Sequence, residues 1–257
     1  MYMKKIAVIT GASAGMGRIC AETVTTWGAL DEVWVIARRG ELLNTLECGV
    51  PVRALPMDLT DRTSFTRYAA LLKAEQPQVM LLINAAGFGK FCGTLEVPYE
   101  ENLNMCDLNC QAVMAMSQLS VPYMPAGSRI INFASVAADQ PIPYINVYGA
   151  TKAFVLSYSR ALNRELKTLD IGVTAVCPFW TKTDFFDRAI PKDREPVVKS
   201  YAAMYDPHDI VKRMWRDAKR GKDVCRYGFI ARSQSLLAKL LPHSMIMNTW
   251  MKMQKLK

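Results

Sequence analysis

The chain has 257 residues, 51% of them hydrophobic and 21% charged, with a formal net charge of +9. That length and apolar content suit one α/β domain, and no apolar stretch approaches the ~18 uncharged residues of a spanning helix. Residues 211–257 hold twelve Lys or Arg against two acids, so the body is near neutral and the tail basic, which argues against a nucleic-acid protein with a basic face on its fold.

Met1-Tyr2-Met3-Lys4-Lys5 runs straight into the first strand and leaves no room for a signal peptide. The seven cysteines, an odd number, are scattered through the chain. Cys106 and Cys110 share a helix face, but His208 and His243 are far away in sequence. Reduced thiols in a cytoplasmic protein are expected, with no metal site.

Residues 5–10 are a short branched apolar run, read as a strand buried on both faces. Thr10-Gly11-Ala12-Ser13-Ala14-Gly15-Met16-Gly17 follows, and a helix is expected over 15–28. Strand, glycine turn and helix are the context of a dinucleotide site. Glycines let the backbone approach a pyrophosphate, and the helix start offers free N–H groups. The spacing is Gly-x3-Gly-x-Gly, not Gly-x-Gly-x-x-Gly.

A second strand, 32–37, ends at Ala37-Arg38-Arg39. An acid at this end would bind the ribose 2′-hydroxyl of NAD; Ala37 makes no such bond. Arg38 has a planar fork suited to a 2′-phosphate, which points to NADP(H). A helix near 40–47 and a strand 52–57 lead to Asp58-Leu59. A helix at 61–75 and a strand at 79–86 lead to Asn84-Ala85-Ala86-Gly87.

One long helix is expected over 100–124, with Asn109 inside it, where an amide needs partners. The strand 129–135 ends in Ser135. The helix 145–169 carries Tyr148 and Lys152, four residues apart and so on one face. An ammonium beside a phenol favours the phenolate and should lower the Tyr148 pKa toward a catalytic range. Ser135 could orient a carbonyl or alcohol next to that phenol.

The strand 172–178 precedes Cys177-Pro178-Phe179-Trp180-Thr181-Lys182-Thr183. Phe179 and Trp180 would either stack on a flat apolar substrate or pack a lid. The aperiodic segment 181–206, with Pro191 and Pro196, is either a lid over the cleft or a surface excursion. A helix at 207–220 and a strand at 224–230 complete the body, residues 1–231. The extension 232–257 reads as a basic amphipathic helix. It could pack over the cleft, contact a membrane peripherally, or meet another subunit.

Together, Thr10–Gly17, Asn84–Gly87, Asn109, Ser135, Tyr148 and Lys152 resemble the motif set of the classical short-chain dehydrogenase/reductase family, in order and spacing over residues 4–185. The βαβα rhythm and this resemblance imply an α/β fold: a single doubly wound Rossmann-type domain with a parallel sheet of about seven strands and helices on both faces. The resemblance implies Asn109, Ser135, Tyr148 and Lys152 as the catalytic group. It places the cofactor on Gly11, Ser13, Gly15, Met16, Gly17, Arg38, Asp58, Leu59, Asn84, Ala85, Gly87, Tyr148, Lys152, Pro178, Thr181 and Thr183. Within that set it assigns Asp58 to the adenine, Thr183 and Thr181 to the nicotinamide carboxamide, and Asn109 to a helix distortion linked to Lys152, while the small residues after Asn84 leave room for the cofactor ribose and Asn84 itself is expected to stabilise the sheet centre. Phe179 departs from the family, which has glycine after the proline.

The implied activity is NADP(H)-dependent reduction of a carbonyl to a secondary alcohol, or its reverse, on a small molecule of hydroxysteroid or 3-oxoacyl type. A homodimer or homotetramer is implied, built through the long helices. The competing readings are a non-catalytic NADP(H)-binding sensor or scaffold, and an isomerase or epimerase working by transient hydride transfer.

Overall fold

In the computed structural model, residues 3–191 and 195–256 are described. Residues 192–194 of the expected lid, and residues 1–2 and 257 at the ends, lie outside that description.

The branched apolar runs form seven strands: β1 Lys5–Thr10, β2 Glu32–Ala37, β3 Val52–Pro56, β4 Gln78–Asn84, β5 Arg129–Phe133, β6 Gly172–Val176 and β7 Val224–Cys225. All pairings are parallel, in the order β3-β2-β1-β4-β5-β6-β7. The order reverses between β1 and β4, where an open α/β sheet forms its ligand crevice. Alternation along β1 sends Ala7 and Ile9 to one face and Ile6 and Val8 to the other. The first face packs against Cys20 and Ala21, and against Ile210, Met214 and Trp215. The second packs against Tyr68, Leu72, Ala112 and Met116.

Five strands stop short of their expected ends, β3 by one residue. β4, β5 and β6 end at Asn84, Phe133 and Val176, so residues 85–86, 134–135 and 177–178 lie beyond the paired strands at the carboxyl edge. β7 is an edge strand with β6 as its one partner and pairs over two residues, not 224–230.

The helices are α1 Gly15–Glu22, α2 Gly40–Leu43, α3 Arg62–Glu75, α4 Tyr99–Cys106, α5 Ala112–Ser120, α6 Asn146–Glu165, α7 Phe185–Ala189, α8 Pro207–Lys219, α9 Phe229–Leu240 and α10 His243–Met253. α1 ends before the β-branched run Val24–Thr26, which forms a 3-10 turn, so the expected helix 15–28 is shortened. Asp61 caps α3 and Asp206 caps α8, each accepting from the N–H two residues on. The expected single helix 100–124 is interrupted by a π-helical turn at Asp107–Gln111. The tail is two helices, because Pro242 cannot continue α9. α9 begins at Phe229, so the boundary drawn at 231/232 falls inside a helix. Among the described residues no helix is long and apolar enough to cross a membrane.

Candidate active site

A cavity of about 1500 Å³ runs along the carboxyl edge of the sheet. At one end lies the glycine turn. Gly11 has φ +70°, and a Cβ there would sit 2.7 Å from the Ala86 nitrogen. Thr10 Oγ1 accepts from the N–H groups of Ala85 (3.1 Å) and Ala86 (3.2 Å), tying the exits of β1 and β4 together. Gly15 opens α1, whose N-cap, Ala14, offers no side-chain acceptor, leaving the first N–H groups for a ligand. Ser13, Gly15, Met16 and Gly17 all line the cavity. This backbone cradle fits a pyrophosphate.

Arg38 and Asp58, expected at the 2′-phosphate and the adenine, meet at 3.9 Å on the cavity wall, both well exposed. Asp58 Oδ1 accepts from the Thr60 N–H (3.0 Å) and hydroxyl (2.8 Å), which fixes the carboxylate. Arg39 donates to Ser13 Oγ at 3.3 Å. Leu59, Ala85 and Gly87 line the same stretch. A cation fork thus stands at the β2 end with an apolar wall beside it.

Asn84 is the exception. It does not line the cavity: its Nδ2 donates to Asn132 Oδ1 (2.9 Å) and Ser117 Oγ (3.3 Å), deep between β4 and β5. Its place is in the sheet, not on the crevice wall.

Deeper in, Ser135, Tyr148 and Lys152 converge on one wall. Ser135 leaves β5 in extended conformation and its Oγ accepts from the Ala137 N–H at 3.1 Å. The Tyr148 side chain is half-buried and lines the cavity. Burial therefore pushes its pKa up to about 12, against the lowering effect of a hydrogen bond with Ser135. The expectation of a lowered phenol pKa is not met in this state. Lys152 Nζ donates to the Phe133 carbonyl at 2.7 Å and lies 5.7 Å from the Tyr148 ring centroid. Burial lowers the ammonium to about 8. Desolvation is the largest cause of both shifts.

Asn109 is fully buried in the π-helical turn. Its Nδ2 donates to the Phe88 carbonyl (2.9 Å) and Thr151 Oγ1 (3.0 Å), and its Oδ1 accepts from the Phe88 N–H (3.1 Å). The turn thus locks the Asn84–Phe88 loop to α6, next to Lys152. Gly87 is required here, since a Cβ would come within 2.9 Å of Asn109 Oδ1 and 3.4 Å of Lys152 Nζ.

Pro178, Thr181 and Thr183 line the cavity beyond β6. Thr181 Oγ1 donates to the Phe179 carbonyl at 2.8 Å, and Thr181 bridges to Tyr205, closing the base of the 181–206 segment. α7 lines the cavity through Phe185, Phe186 and Arg188, and Phe91 N–H donates to the Ala189 carbonyl at 2.9 Å. Phe179 and Trp180 both line the cavity and both pack on other aromatic rings, Phe179 meeting Tyr205 at 6.2 Å. Trp180 meets Tyr201 edge-on at 5.3 Å and stacks on Trp250 at 6.5 Å.

Several wall residues carry no local sequence signal. Phe91 and Phe185 flank the Tyr148 ring at 5.8 and 5.5 Å. Gln254, wholly buried, accepts from the N–H groups of Lys199 (2.7 Å) and Ser200 (3.0 Å) and donates to the Ser200 carbonyl (3.0 Å), clasping the lid to the tail. The Phe185-Phe186 doublet in an otherwise polar stretch was the one available hint. Among the described residues, no three His, Cys, Asp or Glu cluster as a metal site.

A family model described as short chain dehydrogenase matches residues 5–194. An NADP-dependent 3-hydroxy acid dehydrogenase of Salmonella typhi is 31% identical over 221 residues, covering 82% of this chain and 87% of its own. The solved short-chain dehydrogenase from Sphingobium yanoikuyae, in complex with NADPH, is similar with a TM-score of 0.76 at 28% identity, over 92% of this chain and 93% of that one. The 3-ketoacyl-(acyl-carrier-protein) reductase from Brucella melitensis, complexed with NADH, gives 0.71 at 25% identity, over 86% and 95%. The nicotinamide dinucleotide is phosphorylated in the first of these complexes and not in the second.

Proposed function

The chain belongs to the short-chain dehydrogenase family of oxidoreductases, and from that premise we propose that it uses NADP(H) to reduce a carbonyl to a secondary alcohol, or runs the reverse. The carrying observation is that Ser135, Tyr148 and Lys152 share one cavity with the glycine turn. When bound, the cofactor supplies a hydride to the carbonyl carbon.

Tyr148 hands its phenolic proton to the carbonyl oxygen as charge develops there. With its pKa pushed up to about 12, the phenol holds that proton at neutral pH, the state an acid needs before transfer. Ser135 donates a hydrogen bond that positions the oxygen. Lys152 keeps positive charge beside the phenol and stabilises the phenolate once the proton has left. Asn109 positions Lys152 and the loop through its contacts with Phe88 and Thr151. The aromatic lid favours an apolar substrate of ketosteroid or 3-oxoacyl type.

Lys152 sets the alkaline limb. It loses its charge near pH 8 because burial lowers its pKa. kcat/KM for reduction should be flat at lower pH and fall about tenfold per unit above that pH. A profile that stays flat to about pH 9.5 would remove the ammonium from the mechanism.

Arg38 carries the cofactor choice. The wild type should prefer NADPH, and Arg38→Ala should cut kcat/KM for NADPH about 10–100-fold with little change for NADH, the loss of a charge-assisted contact. An NADH preference in the wild type overturns the assignment. Leu103 on α4 and Phe154 on α6 are exposed and apolar; these helices would carry the contacts of a homodimer or homotetramer. The buried free thiols suit a cytoplasmic enzyme.

A further inference from the structure

The tail does two things at once. Phe229, Leu237, Leu241, Met245 and Met253 line the cavity and are also exposed, so they rim its mouth. Phe229 is 83% exposed. Leu236 and Leu240 follow seven and eleven residues later on the same helix face, 58% and 70% exposed. The opposite face of α9, with Ala231, Ser235 and Ala238, packs inward. The mouth is thus surrounded by large apolar side chains turned toward solvent, a patch that marks an interaction surface.

Charge identifies the partner. Residues 224–256 contain no Asp or Glu. Arg226 pairs with Asp139 inside the fold. Arg232, Lys239, Lys252 and Lys255 are exposed and have no acidic partner among the described residues. A second copy meeting this face across a two-fold axis would set these cations against the same cations. An occupant must therefore be apolar and anionic together. Neither helix can cross a bilayer, but two short helices with apolar faces and basic flanks can lie in its interface.

We propose that α9 and α10 dock the enzyme on an anionic phospholipid bilayer, with the cavity mouth facing the lipid, so that an apolar ketone dissolved in the membrane enters the site directly. The substrate half of this inference rests on the carbonyl-reductase reading; the docking half does not.

The full chain should co-sediment with vesicles of phosphatidylcholine containing about one-third phosphatidylglycerol, at least roughly tenfold more tightly than with phosphatidylcholine alone, and should release in high salt. Two variants spare the cavity lining: Leu236→Ser with Leu240→Ser, and Lys239→Glu with Lys252→Glu. Each should lose at least about tenfold in vesicle affinity while keeping the wild-type melting temperature and NADPH binding. Their kcat/KM should fall for a long-chain methyl ketone carried in vesicles and stay unchanged for cyclohexanone in buffer. Failure to bind anionic vesicles by a wild type that reduces cyclohexanone overturns docking and leaves the function intact. Undiminished binding by both variants also overturns it, as does a dimer that the Leu236→Ser, Leu240→Ser variant dissociates. Vesicle binding without reduction of any ketone sinks the substrate half and the carbonyl-reductase reading with it, but not the docking.

Discussion

Replacing Tyr148 by Phe should lower kcat for carbonyl reduction by about 10²–10⁴-fold, with NADPH affinity nearly unchanged. The change deletes one hydroxyl. The ring that remains keeps its edge contacts with Phe91 and Phe185, at 5.8 and 5.5 Å, so the wall of the cavity stands. What disappears is the proton source hydrogen-bonded to Ser135. Ser135 cannot replace it, because its hydroxyl is a far weaker acid. A decrease of that size corresponds to about 3–5 kcal/mol of lost transition-state stabilisation. Steady-state rates with NADPH and a carbonyl panel measure it, alongside a binding titration. Near-normal turnover would refute proton transfer by Tyr148. A wild type that binds NADPH and turns over no carbonyl would favour the sensor reading.

Gly11→Ala should destabilise the fold by about 2–4 kcal/mol and weaken NADPH binding. The methyl group would enter a φ of +70° that L residues avoid, and would press on the backbone of Ala85 and Ala86 at 2.7–2.8 Å. Those atoms belong to the β4 exit, which Thr10 holds by two hydrogen bonds, so they cannot give way cheaply. Gly127 is the control. It has φ +86° but nothing within 4 Å, so Gly127→Ala carries backbone strain without the clash. Thermal unfolding of both variants should place Gly11→Ala several degrees below Gly127→Ala. Equal melting temperatures would mean that the β1–β4 contact adjusts freely.

Features that depend on near neighbours were readable from the chain. The strand starts and the glycine turn follow from local patterning, because β pairing and a tight βα exit constrain adjacent residues. The pairing of Tyr148 with Lys152 follows from helical spacing. The break in the helix 100–124 was less accessible. Asn109 could be singled out as a buried amide, but its partners, Phe88 and Thr151, lie 21 and 42 residues away. Gln254 carries no local sequence signal, and only folding brings it onto Lys199 and Ser200.

The Tyr148 pKa shows the division most clearly. Sequence spacing supplies the cation beside the phenol and so argues for a lowered value. The tertiary structure supplies the walls, Phe91 from the loop after β4 and Phe185 from the lid, and the resulting loss of water raises it. The sequence by itself determined the family and the sheet and put forward the reacting group, since each motif is made of residues close along the chain. Tertiary structure alone decided the electrostatics of that group and the shape of the cavity mouth. Burial is a property of what distant segments bring together, and no local spacing encodes it.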